Sequence, residues 1–331
     1  MRLAAFNTGP DFHLLDHIAP LAASLQIPLF IQEEKNLSLA RKYYPHVETH
    51  YILDIDLSYF AHHFDALFEC KYWLPHLKKL FLDLFRKEMK LIFCAHGQSD
   101  KGYAAPLLAP YSYHDLNLVY GPLLQQMLHE LGISAPTFST GNYRLSDYLR
   151  HQNFYDTLAD REVFSHLPKN KTLLYAPTWN DADHATTFFQ SIPALLSSLP
   201  SHWNLLVKVH PLLEQREPAH YYRIAALLEK TPRTHLVSEF PLVYPILARA
   251  DAYLGDASSV GYDYLFFQRP MFFLRSHGKL TTCGTYIKTL SSLLDQPNAY
   301  TDQQKLLYQH AFGIETLLTR ERILSRLQEA K

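Results

Sequence analysis

Residues 250–263 read Ala-Asp-Ala-Tyr-Leu-Gly-Asp-Ala-Ser-Ser-Val-Gly-Tyr-Asp, and this stretch decides the fold. An apolar strand ends at Gly255, and small polar residues then open a helix with Ser258 or Ser259 as a good N-cap. The first turn of a helix offers unpaired N–H donors and a partial positive charge, which together bind phosphate. We therefore predict that Asp256, Ser258 and Ser259 form a donor-diphosphate site. A plain βα loop with a capping serine is the simpler alternative.

Units of the same kind extend in both directions from this stretch. Apolar runs alternate with helical patterns along most of the chain, which is typical of parallel sheets in an α/β protein. Two sets of similar length predict two Rossmann-like domains with parallel sheets that face each other across a cleft. Polar residues dominate 150–171, so we place an N-terminal domain at residues 1–160 and a C-terminal domain, which contains the predicted diphosphate site, at 161–331.

A second candidate segment is Leu206-Val207-Lys208-Val209-His210-Pro211. Residues two apart in a strand point to the same side, so Lys208 and His210 are expected side by side at the strand's carboxyl end. A cation and an imidazole there suit a developing phosphate charge. Thr178 and Trp179, which follow another strand end, are expected to line the donor pocket.

In the N-terminal half, the most apolar strand, Leu91–Ala95, leads into His96-Gly97-Gln98-Ser99-Asp100-Lys101. His96 is expected at the strand tip, where an imidazole can act as general base on a hydroxyl. Gly97 and Lys101 are expected to form the acceptor loop. His13 and His17 lie four residues apart, and we interpret them as surface or packed imidazoles rather than as metal ligands.

Composition excludes several classes of protein. With a formal net charge of −1 over 331 residues, no global field favours binding to nucleic acid. The three cysteines are scattered, so neither a disulfide framework nor a zinc site is expected, and a cytoplasmic location fits best. No G-x-G-x-x-G and no G-x-S-x-G occurs. A helix at 74–89 is apolar on one face and flanked by lysines and arginines. Packing of the apolar face on a sheet explains this pattern, and so does peripheral contact with the inner face of a membrane.

Taken together and in this order, the segments resemble the CDP-glycerol glycerophosphotransferases, which are teichoic-acid polymerase-like enzymes of the GT-B fold. The matching residues are His96-Gly97 with Lys101, Gly141–Asp147, Leu174–Trp179, Lys208–Pro211 and Ala250–Leu274.

The resemblance implies a GT-B fold and metal-independent transfer of a polyol phosphate from a CDP-activated donor to a glycan or lipid-linked acceptor. It also implies that residues 1–160 form the acceptor domain and residues 161–331 the nucleotide-donor domain, with one functional histidine in each, His96 and His210, and no cofactor. The Gln98-Ser99-Asp100 sequence after His-Gly departs from the family pattern, so two alternatives stay open. One is a nucleotide-sugar glycosyltransferase or sugar-nucleotide 2-epimerase of the same fold, and the other is a non-catalytic nucleotide- or glycan-binding protein.

Overall fold

Two parallel β-sheets form the framework of the chain. The structure is a computed structural model that describes residues 1–99, 108–179, 186–275, 278–288, 292–315 and 317–329. The described residues divide into two units. The first contains residues 1–97, 108–150 and 310–329, and the second contains residues 98–99 and 151–309.

The first unit has a seven-stranded sheet of order β3-β2-β1-β4-β5-β6-β7, in which every neighbouring pair is parallel. Its strands are Leu3–Asn7 (β1), Leu29–Ile31 (β2), Thr49–Tyr51 (β3), Ala66–Glu69 (β4), Lys90–Cys94 (β5), Leu116–Val119 (β6) and Thr137–Ser139 (β7). Its first helices are Leu15–Leu25 (α1), Glu34–Tyr43 (α2), Leu57–His63 (α3), Leu77–Phe85 (α4), Pro122–Glu130 (α5) and Tyr143–Arg150 (α6).

The second unit has a six-stranded parallel sheet of order β10-β9-β8-β11-β12-β13. Its strands are Lys171–Ala176 (β8), Trp203–Lys208 (β9), Thr234–Val237 (β10), Ala252–Gly255 (β11), Met271–Phe273 (β12) and Thr285–Tyr286 (β13). Its helices are Gln152–Glu162 (α7), Phe188–Ser198 (α8), Pro211–Arg216 (α9), Pro218–Lys230 (α10), Tyr244–Arg249 (α11), Ser259–Tyr264 (α12) and most of Thr301–Phe312 (α13), while Arg320–Glu329 (α14) belongs to the first unit.

Both sheets reverse their strand order at the centre. In the first sheet the reversal lies between β1 and β4, and in the second it lies between β8 and β11. Ligands of open parallel sheets bind at the carboxyl ends of the strands beside such a reversal. The loops that follow these four strands are therefore where the candidate residues should be sought.

The apolar strands explain how each sheet is covered. In the second unit, Leu173 and Tyr175 of β8 and Leu205 of β9 are buried in one cluster with Ile192 and Leu195 of α8. In the first unit, aromatic residues dominate the corresponding cluster, with Phe6, Phe60 and Trp73 packed edge to face. Buried apolar side chains of this kind supply most of the favourable free energy of folding.

The division of the chain differs from the boundary expected at residue 160. Helix α7 belongs to the second unit, because Arg249 of α11 forms ion pairs with Asp156 (2.7 Å) and Asp160 (2.8 Å). The chain then returns to the first unit from residue 310 onwards. There, Leu317 N donates to Thr140 O (2.7 Å) and Arg320 Nη1 donates to Leu25 O (3.0 Å). Salt bridges and turn contacts between distant residues leave no pattern in local composition.

Two local elements depend on contacts that the sequence does not mark. The polar stretch 150–171, which was predicted as the domain boundary, contains helix α7, and Thr285–Tyr286 forms the two-residue strand β13. The strand forms because Phe272 and Phe273 of β12 pair with these two residues. Two residues are too few for a periodic pattern to indicate a strand.

Candidate functional site

The second unit carries its candidate residues at the reversal between β8 and β11. Ala176 and Gly255, the last residues of the two strands, are paired in register. Thr178 lies two residues after the end of β8, and Asp256 is the first residue after β11. The structure thus brings together two predicted segments that are separated by more than seventy positions in sequence.

Asp256 is buried, with 2% of its surface exposed, and two backbone N–H groups donate to its carboxyl. Thr178 N (3.2 Å) and Thr187 N (3.1 Å) donate to its Oδ2. Burial raises the pKa of this carboxyl, and the hydrogen bonds from Thr187 and Thr178 and the charge of Arg275 partly offset that rise. Asp256 therefore fastens the loop after β8 and the start of α8 to the end of β11. A carboxylate would repel a diphosphate, so these contacts point to loop positioning rather than to direct binding.

Ser258 is the N-cap of α12, as the sequence indicates, but its side chain does not cap the helix. Its Oγ lies 3.3 Å from the Tyr253 hydroxyl instead. Ser259 is the first helical residue and is partly exposed. Gly261 N donates to Ser258 O at 3.1 Å, whereas the Ser258 side chain does not cap the N–H groups of Ser259 and Val260, which can therefore be offered to an anion.

Close packing at the end of β11 requires a glycine. A Cβ atom at Gly255 would lie 2.3 Å from the Tyr253 hydroxyl and 2.9 Å from Ala176 O. The absence of a side chain at this position lets β8 and β11 end side by side beneath the Ser258 loop.

Lys208 and His210 lie at the carboxyl end of β9, and each has a structural contact. Lys208 Nζ donates to Phe240 O at 2.7 Å. Leu212 N donates to His210 Nδ1 at 3.2 Å, so His210 caps α9 with its ring. Since Nδ1 accepts a hydrogen bond, the proton of the neutral imidazole is on Nε2. His210 can therefore donate a hydrogen bond from Nε2 to a phosphate oxygen.

Trp179 lies between two cationic or ionisable groups. The Arg216 guanidinium is 4.5 Å from the centre of the Trp179 ring system, and the His210 ring centroid is 6.2 Å away. Trp179 also packs against the core of the second unit, whereas Thr178 is buried. Sequence reasoning missed Arg216, Thr187 and Arg275. Arg216 could have been predicted as a site residue, because it lies on the short helix that directly follows His210.

In the first unit, His96 follows β5, the neighbour of β4. Its Nδ1 lies 2.9 Å from Cys70 O, and a carbonyl oxygen only accepts, so Nδ1 carries the proton. Nε2 then holds a lone pair. The ring keeps solvent-accessible surface, yet the protein around it lowers its pKa by desolvation, with a smaller opposing contribution from the Cys70 bond. A neutral imidazole that solvent can reach and whose Nε2 is unprotonated has the properties of a general base.

The loop after His96 begins with a turn that favours glycine. Gly97 has a φ of 118°, a backbone conformation that residues other than glycine rarely adopt. Lys101, the second residue assigned to this loop, lies outside the described residues.

The Gly141–Asp147 segment forms the start of α6 and connects it to α1. Arg144 is buried, donates from Nε to Asp16 O (2.9 Å) and forms an ion pair with the Asp16 carboxylate. Tyr143 stacks on Tyr120, with ring centroids 5.3 Å apart and planes at 8°. The sequence does not mark Arg144 as buried, because a buried arginine cannot be told from an exposed one by its neighbours in sequence.

The model of the CDP-glycerol:poly(glycerophosphate) glycerophosphotransferase family matches residues 108–282, which is more than half of the chain. The chain belongs to this family. The match covers the loops that carry Thr178, Lys208, His210 and Asp256. The family predicted from the sequence is therefore confirmed.

Comparison with individual proteins agrees with this family. A teichoic acid ribitol-phosphate primase of Bacillus spizizenii is 29% identical over 133 residues, which are 39% of this chain and 32% of the primase. The alignment thus spans about a third of the length of that primase.

Two solved structures share the fold. The wall teichoic acid polymerase TagF has a TM-score of 0.67 at 14% identity, covering 99% of this chain and 88% of the polymerase. The UDP-GlcNAc 2-epimerase of Neisseria meningitidis, bound to UDP-GlcNAc, has a TM-score of 0.65 at 13% identity, covering 99% of this chain and all of the epimerase. With the two parallel sheets, these similarities confirm an α/β fold of the GT-B type for this family member.

Proposed function

We propose that this chain transfers glycerol phosphate, or a related polyol phosphate, from a CDP-activated donor to a hydroxyl of a cell-envelope glycan or lipid-linked acceptor. Membership of the glycerophosphotransferase family carries the proposal, because the matched residues include the whole candidate site of the second unit. The hydrogen bonds of the two histidines support it independently of the family.

The two histidines have complementary protonation. His96 Nε2 would take the proton from the acceptor hydroxyl, whose oxygen then attacks the phosphorus that bears the polyol. The bond from this phosphorus to the bridging oxygen breaks, and CMP leaves with that oxygen. His210 would donate from Nε2 to the phosphates, where the uncapped start of α12 and the charges of Lys208 and Arg275 offset the negative charge. The proton on His96 finally passes to solvent.

The decisive experiment measures formation of CMP and of the phosphodiester from CDP-glycerol and CDP-ribitol over a panel of polyol and glycan acceptors. His96→Ala should lower the rate by about 10²–10⁴, the usual contribution of a general base. His62→Gln is a matched control, because His62 is an exposed histidine of α3 whose Nδ1 bonds Ser58 O. An undiminished rate for His96→Ala in a folded protein would contradict the assignment.

The same assay separates the alternatives. Because cationic side chains and helix N–H groups account for the donor charge, we propose that no metal is needed, and EDTA should leave the rate unchanged. Turnover of UDP-GlcNAc in place of CDP-polyols would instead favour an epimerase-like activity, which the shared fold of the Neisseria enzyme makes a specific alternative. Binding of CDP-glycerol without turnover on any acceptor would favour a non-catalytic protein.

We also propose that α4 makes peripheral contact with the inner face of a membrane. Among the described residues, no helix is both long and apolar enough to span a bilayer. Helix α4, however, buries only Leu77 and Phe81 and exposes Leu80, Leu82 and Leu84, the last with 62% of its surface accessible. Exposed leucines with Lys79 and Arg86 on the same segment suit an anionic lipid surface.

Co-sedimentation with vesicles of phosphatidylglycerol and phosphatidylcholine tests this contact. Replacing Leu82 and Leu84 by Ser should reduce the bound fraction several-fold without unfolding the protein, since both side chains are exposed. The exposed Leu227 of α10 provides a control substitution, Leu227→Ser. Equal binding by all three proteins, or no binding by the unmodified chain, would contradict the proposal.

A further inference from the structure

A second imidazole, His17, lies at the strand reversal of the first unit. It belongs to α1, the helix that follows β1, and it is 8% exposed. Its Nδ1 lies 2.7 Å from the Tyr120 hydroxyl. The ring centroids of His17 and His96 are 6.4 Å apart, with their planes at 80°. The general base therefore has a neighbouring histidine that sequence analysis interpreted as a surface or packed imidazole.

The hydrogen-bond chain behind His17 fixes its protonation. Tyr120 Oη donates to Tyr143 Oη at 3.3 Å, so the Tyr120 oxygen is left to accept a hydrogen bond from His17. The His17 proton is then on Nδ1, and Nε2 holds a lone pair. The buried Arg144–Asp16 pair anchors the residue next to His17, and the stacked rings of Tyr120 and Tyr143 fix the partner. His17 is thus held in one orientation by groups on three elements.

The electrostatics around the two rings favour a neutral ligand. Burial is the largest cause that lowers the pKa of His17, followed by the charges of Arg144, His96 and His13. The nearby cations already have anionic partners, because Arg144 pairs with Asp16 and Lys71 Nζ lies 2.6 Å from Asp11 Oδ2. Two neutral imidazoles with unprotonated Nε2 atoms accept hydrogen bonds and offer no proton to an anion. Two hydroxyl groups on neighbouring carbons are the chemistry that such a pair recognises.

We propose that His17 is an acceptor-binding residue, whose Nε2 accepts a hydrogen bond from one hydroxyl of a polyol while His96 deprotonates the adjacent hydroxyl. The inference rests on the proposed function and narrows its acceptor to a group with two vicinal hydroxyls. His17 orients the acceptor through the second hydroxyl and takes no proton in the transfer.

Two substitutions separate the binding role of His17 from its packing. The amide of Asn can replace Nδ1 and keep the bond to Tyr120, whereas the amide of Gln reaches the position of Nε2 and loses that bond. The assay uses CDP-glycerol with sn-glycerol 3-phosphate, which has adjacent hydroxyls, or with 3-hydroxypropyl phosphate, which keeps only the terminal one. His62→Gln is again the control.

The unmodified protein should prefer the diol by about 10–100-fold in kcat/KM, as expected when a site built for a hydroxyl loses it. His17→Asn should lose most of this preference, mainly through a higher KM for the diol, and His17→Gln should keep more of it. Equal losses for both acceptors, or a preference retained by His17→Asn and lost by His17→Gln, would show that His17 serves packing alone.

A binding measurement keeps the test independent of the donor. In protein with ¹⁵N-labelled histidines, the His17 Nε2 resonance should lie in the unprotonated range, and sn-glycerol 3-phosphate should shift it more than 3-hydroxypropyl phosphate does. This result would stand even if CDP-glycerol were not the donor, in which case only the proposed function fails. A protonated Nε2, or no shift at saturating diol, would overturn the role of His17.

Discussion

Glu69 shows how a single buried side chain sets a pH dependence. It ends β4, is 2% exposed, and neither carboxyl oxygen has a hydrogen-bond partner in good geometry among the described residues. Burial raises its pKa to about 8, although Thr8 and the charge of Lys71 favour the ionised form. Glu69 is therefore largely protonated at neutral pH in the folded protein and ionised in the unfolded chain.

The sign of the effect on stability follows from this difference. Between pH 4.5 and about pH 8, the folded protein holds a proton on Glu69 that the unfolded chain has lost. The contribution of this proton to the free energy of unfolding is therefore fully present below pH 4.5 and is lost as the pH rises towards 8. The loss amounts to at most about 1.4 kcal/mol per pH unit. Glu69→Gln should flatten the dependence of the urea midpoint on pH over this range. Glu88→Gln, at an exposed position of the same unit, is the control, and an unchanged slope for Glu69→Gln would refute the argument.

Individual site residues were predictable in position but less so in contacts. The sequence places His96, Lys208, His210 and Asp256 at strand ends, and the structure agrees. What it could not indicate is the partner of each group, since Cys70 O, Phe240 O and Thr187 N are distant in sequence. A role for His17 was not predicted for the same reason, because it depends on contacts with Tyr120 and His96, which are distant in sequence.

At the scale of elements, the junction of β8 with β11 depends on Gly255. Gly255→Ala would place a Cβ against the Tyr253 hydroxyl and Ala176 O, so one of the two strand ends must shift. Overpacking of this kind costs about 1–3 kcal/mol. The urea midpoint should fall accordingly, and hydrogen exchange should rise first in β8, β11 and α12. Unchanged exchange in these elements would mean that Tyr253 rotates away at little cost.

Elements with long apolar runs were predicted closely, and short or edge elements were not. β11 ends at Gly255, as the sequence predicted, and β5 ends within one residue of the predicted Ala95, because apolar residues bounded by turn residues mark both strands. β13 has two residues and depends on its neighbour β12. Helix α4 packs only part of its apolar face, since Leu77 and Phe81 are buried whereas Leu80, Leu82 and Leu84 are exposed.

For the whole molecule, the final residues contribute to the first unit. Phe312 packs edge to face on Tyr120 at 5.6 Å, and residues 317 and 318 both donate to Thr140 O. Ending the chain after Gln309 should therefore loosen β6, β7 and the end of α1, as seen by hydrogen exchange, and leave β8–β10 protected. The second unit serves as the internal control. Equal loss of protection in both units would contradict this division.

The two-sheet architecture was predictable from the alternation of strands and helices, whereas the division of the chain was not. Composition shifts at residue 150, but the return to the first unit rests on Arg320, Leu317 and Phe312, whose partners lie at positions 25, 140 and 120. No local signal marks such long-range contacts.

This return has a consequence for biosynthesis. A ribosome releases the chain from its N-terminus, and domains generally fold as units while they emerge. All of residues 151–309 are available before residues 310–329 are made, so the sheet with Asp256 and His210 can be finished while the one with His17 and His96 still waits for its last helix. A chain that stops after residue 309 would therefore contain every residue of the second sheet, while the first unit, although it includes residues made earlier, would stay unfinished.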